Sequence, residues 1–440
     1  MTKRILILLA VVGGLVLAFF WFSREQNERI DLREIPDRFP KIDQRPSATN
    51  WGRDKPKSAG RLMLQVQLKD LRFYDLSELD LRESLDDLFH ADFNTQTIWP
   101  PDDRMPKGFD WKNIQELGKN PGLGVRSLHA RGITGKGVGI AIIDQPLLVD
   151  HQEYSDQIQL YEEGNLEMRT ESRFRRLIYR LLGRAFSVGP YRHESSMHGP
   201  AVASIAVGKT VGVAPEAMLY YIATWASDWK EFGESELEEL EESEPGFVYY
   251  AQAVRRILKI NSKAPENGKV RVIAMQIGWG SDQAGYEEIT AACEEAKAAG
   301  MLVVSSSIEE VHGFKFHGLG RHPLAEPDDF ESYKPASWWT KRFYAGDGFS
   351  DRLLVPMDSR TTASPGGVED YVFYRKGGLS WSIPYIAGIY ALAVQVDPGI
   401  TPDRFWSLAM ETGRIIQLEH EGEMIPFGPI LDPVALIDAL

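Results

Sequence analysis

The chain has 440 residues, the length of one large domain or two to three ordinary ones, and its 43% hydrophobic and 25% charged residues exclude wholesale disorder and fibrous architectures. Asp plus Glu outnumber Lys plus Arg by 63 to 49, a formal charge of −14 that phosphate repels, which excludes nucleic acid as the default partner. A single cysteine, Cys293, rules out an internal disulfide framework and a multi-cysteine metal cluster, so packing must supply the stability.

Lys3 and Arg4 precede an uninterrupted apolar or glycine run over residues 5–22, which as a helix rises ~27 Å and nearly matches the bilayer hydrocarbon. Phe19, Phe20, Trp21 and Phe22 close the run where a removed signal peptide would carry a small-x-small cleavage site. Residues 1–23 therefore read as an uncleaved signal anchor. The two cations leave the amino terminus in the cytoplasm, residues 5–22 in the lipid bilayer and the body outside the cytoplasm; a cleaved signal would export the same body.

Residues 24–110 read as a stalk or accessory segment. Up to residue 60 they are polar and rich in Arg, Asp, Pro and Lys, without periodicity. Then Asp70-Leu71, Asp75-Leu76 and Asp80-Leu81 recur every five residues. Three such turns are too few for a solenoid core, so a local ordered segment packing on the main domain is the expectation.

Beyond about residue 115, apolar strands alternate with helical patterns, the signature of a parallel sheet covered by helices on both faces. Expected strands are 138–143, 218–223, 270–277, 301–305 and 353–356. Expected helices are 198–207 ended by Gly208, 247–260, 286–299 ended by Gly300, 381–396 and 402–412. The acidic stretch 231–244 reads as a solvated loop or helix face. Residues 169–184, with Arg173, Arg175, Arg176 and Arg180 among Phe174, Leu177 and Leu181, read as a basic amphipathic helix, either packed on the body or touching anionic lipid.

Three segments carry chemistry. Gly135-Lys-Gly-Val-Gly-Ile-Ala-Ile-Ile-Asp144 is an apolar strand with a carboxylate at its carboxyl end, where open α/β sheets place their sites. His198-Gly-Pro-Ala-Val-Ala-Ser opens a helix with an imidazole, and Gly377-Gly-Leu-Ser380-Trp-Ser-Ile-Pro384 opens another with a hydroxyl. A hydroxyl needs a base to become a nucleophile, and a carboxylate fixes the base's tautomer; Ser380, His198 and Asp144 fill these roles.

These segments, in the order Asp…His…Ser, resemble the subtilisin-like serine proteases, the subtilases, as a divergent member of that family. The similarity extends to Gly212-Val-Ala-Pro-Glu-Ala-Met-Leu-Tyr-Tyr, to Val272-Ile-Ala-Met-Gln-Ile-Gly278, which looks like the family's cleft-lining strand, and to Ala299-Gly-Met-Leu-Val-Val-Ser-Ser-Ser. The resemblance implies a subtilisin-like three-layer α/β/α domain with a mainly parallel sheet over residues 111–440, preceded by the transmembrane helix. It also implies a serine endopeptidase acting on polypeptide substrates through an acyl-enzyme, with no cofactor required. Family members often bind structural calcium, for which no ligand set is traceable here, and the oligomeric state is left open.

Departures cluster at the site. Gln145-Pro146 follow Asp144 where the family has Ser or Thr then Gly, Pro200 replaces a Thr, and Glu309 occupies the position of the asparagine that stabilises the oxyanion. Either Glu309 is kept protonated by burial and donates a hydrogen bond, or one of Ser306, Ser307, His312 or His317 supplies the donor, or the fold is a catalytically inactive pseudoprotease acting as an extracytoplasmic binding or scaffold protein. The five-residue spacing of His312, His317 and His322 matches no zinc pattern, and no metal is expected.

Overall fold

A run of β-branched and small apolar residues with no polar alternation can persist only in a strand covered on both faces, and residues 138–143 are such a run. A computed structural model describes residues 70–163, 196–224 and 246–440, all of which belong to one compact unit. Its first half contains, in chain order, α1 (Leu85–Leu88), β1 (Phe93–Asn94), α2 (Trp111–Lys119), α3 (Val125–Ala130), β2 (Gly139–Asp144), β3 (Ile158–Glu163), α4 (His198–Val207), β4 (Met218–Ala223), α5 (Gly246–Lys263), β5 (Val270–Met275) and α6 (Tyr286–Ala298). There follow β6 (Leu302–Val304), α7 (Ile308–His312), β7 (Phe316–Arg321), β8 (Tyr333–Pro335), α8 (Thr340–Tyr344), β9 (Leu353–Pro356), β10 (Arg360–Ala363), β11 (Tyr371–Tyr374), α9 (Leu379–Val396), α10 (Pro402–Thr412), β12 (Arg414–His420), β13 (Glu423–Ile430) and α11 (Pro433–Asp438).

The central sheet is parallel throughout, in the order β3-β4-β2-β5-β6. Every residue of β2 is buried. Because strand side chains alternate between faces, Ile140 and Ile142 of β2 share a face with Val272 and Ala274 of β5. There they meet Ala201 and Ile205 of α4 and Ile383, Ile386 and Ala387 of α9. Helices α5 and α6 pack on each other, and α5 also meets β2 and β5. Each fully buried Ile or Val on these faces contributes roughly 1.5–3 kcal/mol.

The strand at 353–356, expected in the same sheet, does not join it. As β9 it lies in a second five-stranded sheet, β12-β13-β9-β7-β8. After β6 the chain supplies only the single-turn α7 before β7, which is no crossover helix to carry a parallel strand back onto the first sheet. A three-stranded sheet, β1-β11-β10, completes the described strands.

Residues 70–110 pack on the body. Asp70, Asp75 and Asp80 each accept from the backbone N–H two residues on, at 3.1, 3.0 and 3.2 Å, closing three successive turns. Leu71, Leu76 and Leu81 point inward, and their N–H groups donate to the carbonyls of Asp92, Ile98 and Arg104. The resulting cluster includes Leu88 and Phe93 together with Ile114 and Phe373, so packing crosses the boundary expected after residue 110. Strand β1 pairs antiparallel with β11.

The expected anchor at residues 5–22, the basic stretch 169–184 and the acidic stretch 231–244 lie outside the described residues. Among the described residues one helix, α9, is long and apolar enough to cross a membrane, and it is a buried core helix.

Candidate active site

Asp144 ends β2 and is 3% exposed. Its Oδ1 accepts the Gln145 N–H at 2.6 Å, and Oδ1 and Oδ2 lie 2.9 and 3.0 Å from His198 Nδ1. A carboxylate only accepts, so Nδ1 carries the proton and Nε2 is the basic nitrogen of the ring. The imidazole is one-quarter exposed.

Local sequence explains how the histidine is delivered. Ser196 Oγ accepts from the N–H groups of His198 and Gly199 at 3.2 and 2.9 Å, satisfying two donors that the start of α4 leaves over. Pro200 falls in the same first turn, where a missing N–H costs nothing. Gly199 is required by close approach, since a Cβ there would stand 2.5 Å from the Gln145 carbonyl oxygen and 2.7 Å from that of Pro146. These two carbonyls have partners of their own: the Tyr221 hydroxyl donates to Gln145 and the Ser196 N–H to Pro146. The Gln145-Pro146 departure is thus a tied-down loop whose proline has no hydrogen bond to lose.

Ser380 is the second residue of α9 and half-buried. Gly378 before the helix is extended, and Gly377 donates its N–H to Asp358 Oδ1 at 2.8 Å. A Cβ on Gly377 would lie 2.3 Å from the Met357 carbonyl oxygen, so the approach to the helix admits only glycine there. The next residue, Trp381, packs its ring against the His198 imidazole with centroids 5.4 Å apart and against Tyr374 at 5.1 Å. Pro384 withdraws the N–H that would otherwise bond the Ser380 carbonyl.

The candidate oxyanion groups separate. Glu309 lies on α7, 63% exposed, with Oε1 3.3 Å from Lys315 Nζ. The burial on which a protonated, donating acid depends is not found, because α7 turns this position outward toward a cation. Ser307 is buried, its hydroxyl donating to the Trp279 carbonyl at 2.9 Å and accepting the Trp279 N–H at 2.8 Å. His312 Nε2 accepts the Val303 N–H at 3.2 Å, and burial, with Lys297 nearby, pushes the ring down to about 4. His317 donates from Nδ1 to the Phe316 carbonyl at 2.7 Å and accepts Arg352 Nη1 on Nε2 at 2.8 Å; burial and Arg352 push it, too, down to about 4. Ser306 is exposed beside Gly278, where a built Cβ would stand 3.0 Å from Ser306 Cβ.

One polar residue on the same face of the sheet as Asp144 escaped the reading of the sequence. Gln276 follows the last residue of β5, and both ends of its side-chain amide are sealed from solvent without a hydrogen-bond partner among the described residues. Its signal was parity: Gln276 lies two positions beyond Ala274, on the face that Asp144 shares. Among the described residues, no group of three or more His, Cys, Asp or Glu is arranged to hold a metal ion.

The subtilase family model matches residues 135–339, a span that includes Asp144, His198 and Glu309 and stops before Ser380. No curated protein matches the chain. Similar solved structures include one described as the prenylagaramide maturation protease PagA, 13% identical, covering 72% of this chain and 98% of that one with a TM-score of 0.43. The similarity to the subtilase family is thus carried by residues 135–339.

Proposed function

We propose that the chain is a membrane-anchored serine endopeptidase, held by residues 5–22 with its amino terminus cytoplasmic and its catalytic body outside. The observation that carries the reading is the Asp144–His198 hydrogen bond, with the imidazole packed on Trp381, the neighbour of Ser380. In the mechanism Ser380 Oγ attacks the scissile carbonyl while His198 Nε2 takes its proton, and Asp144 holds the ring in that tautomer and stabilises its cation. His198 returns the proton to the leaving amine, and water hydrolyses the acyl-enzyme by the same route. The Ser380 N–H, in the first turn of α9, has no partner within its helix and faces the developing oxyanion with the helix dipole behind it.

A fluorophosphonate probe should label Ser380 in the folded wild type and fail to label Ser380→Ala, with casein cleavage lost in parallel. Absence of labelling at any pH between about 5 and 9 would remove the reading. The outward-facing Glu309 favours one rival, a pseudoprotease that binds peptides in the cleft without turnover; it requires peptide affinity that Ser380→Ala leaves intact and no labelling at all.

A further inference from the structure

An acyl-transfer site needs a donor aimed at the oxygen on which charge develops, and one backbone N–H alone leaves that charge under-solvated. The side chain at the family's asparagine position points away, with Glu309 paired to Lys315. Ser307, His312 and His317 have their hydrogen bonds committed to Trp279, to Val303, and to Phe316 and Arg352.

Gln276 has the opposite character. Parallel pairing of Ile143 with Met275 places the next residues, Asp144 and Gln276, side by side at the carboxyl end of adjacent strands and on one face. That face is the one on which Val272 and Ala274 pack against α9, the helix that Ser380 opens. Beyond Gln276 the wall drops away, since Ile277 is half-buried and Gly278 exposed. A primary amide whose oxygen and nitrogen are both shielded from water and both without a partner among the described residues stands at a cost of about 1–3 kcal/mol for each polar group. The residue as a whole is only half-buried, so a turn about its side-chain torsions can bring the amide from the wall to a group that enters the mouth of the sheet.

We infer that the Gln276 side-chain amide is a catalytic hydrogen-bond donor to the reacting carbonyl, in place of the family's asparagine. As the Ser380 Oγ–carbon bond forms and the hydroxyl proton passes to His198 Nε2, the carbonyl π pair moves onto oxygen, which accepts from Gln276 Nε2 and from the Ser380 N–H. The amide oxygen is left to accept a backbone N–H of the bound polypeptide.

This inference rests on the protease reading, and the experiment separates the two. The full chain is treated with a fluorophosphonate probe, and the saturating inactivation rate and the half-saturating probe concentration are measured for wild type, Gln276→Met, Gln276→Ala and Ser380→Ala. Thermal unfolding verifies that each variant is folded. The inactivation rate should fall ~10²–10³-fold in both Gln276 variants with the half-saturating concentration little changed, as expected for a donor used only in the transition state. Labelling of wild type that Gln276→Met matches in rate would overturn the inference and leave the protease standing. An unchanged rate with a raised half-saturating concentration would overturn it as well, making Gln276 a ground-state contact. No labelling of folded wild type would overturn both.

Discussion

Histidine serves two different purposes in this molecule. At the mouth of the central sheet His198 donates its Nδ1–H to a buried carboxylate, which orients the ring. Behind β6 and along β7, His312 and His317 use a ring nitrogen to accept from the Val303 N–H and from Arg352, and burial, with cations nearby, opposes their protonation. The contrast teaches that a carboxylate partner makes an imidazole a base, whereas a donor partner makes it a structural acceptor. Sequence spacing to a glutamate says little about either.

The sharpest way to break the comparison is to remove the carboxylate's acceptor-only character. Asp144→Asn keeps the shape but permits the wrong tautomer at His198, and the rate of fluorophosphonate labelling should fall ~10³–10⁴-fold with unfolding little changed. A loss below tenfold would mean that His198 does not depend on its partner.

Next in size is the buried cation that ends β7 in the second sheet. Arg321 is 2% exposed and donates to five carbonyls, those of Leu117, His322, Pro323, Ala325 and Ser359. Arg321→Ala strips all five at once and should lower the unfolding free energy by at least ~3 kcal/mol, read from urea midpoints.

A smaller effect separates the two kinds of histidine by pH. His312 sits near 4 in the folded protein against 6.5 unfolded, so between about 6.5 and 4 the unfolded chain binds more protons. Stability therefore rises with pH across that window and declines as pH is lowered through it. His312→Asn should be less stable than wild type at pH 7 yet show a shallower decline toward pH 4, measured by urea midpoints at several pH values.

The smallest expected effect is at the position that drew most attention in the sequence. Glu309→Asn, which would restore the family's residue, should change labelling rate less than about threefold and stability by no more than ~0.5 kcal/mol, because only an exposed ion pair with Lys315 is lost. A gain of tenfold or more would return α7 to the oxyanion site and displace Gln276.

What the sequence revealed was what short-range pattern controls. Helices His198–Val207 and Pro402–Thr412 and strands Met218–Ala223 and Leu353–Pro356 fall on the residues expected, since each is an apolar run closed by a cap or a turn; Thr401, for instance, accepts the Arg404 N–H at the start of α10. Sheet membership is long-range, and so β9 was placed in the wrong sheet. The hairpin of β12 and β13 carried a signal that went unused, the left-handed pair Glu421-Gly422 at its turn. At the site, counting from Gly300 located Glu309 along the chain but could not say that α7 would aim it at Lys315. Gln276 was quoted within a motif without being singled out, because burial without a partner is visible only in three dimensions.

The turns built on Asp70, Asp75 and Asp80 bear on how the serine is held. Asp92, the residue that receives the first of them, also accepts the Arg375 N–H at 2.7 Å, and the Arg375 guanidinium reaches back to the Phe89 carbonyl at 2.8 Å. Five residues later the chain reaches Ser380. The aspartate-built turns are therefore buckled, through Asp92 and Arg375, to the strap that leads into α9, so that loosening them would loosen the approach to Ser380.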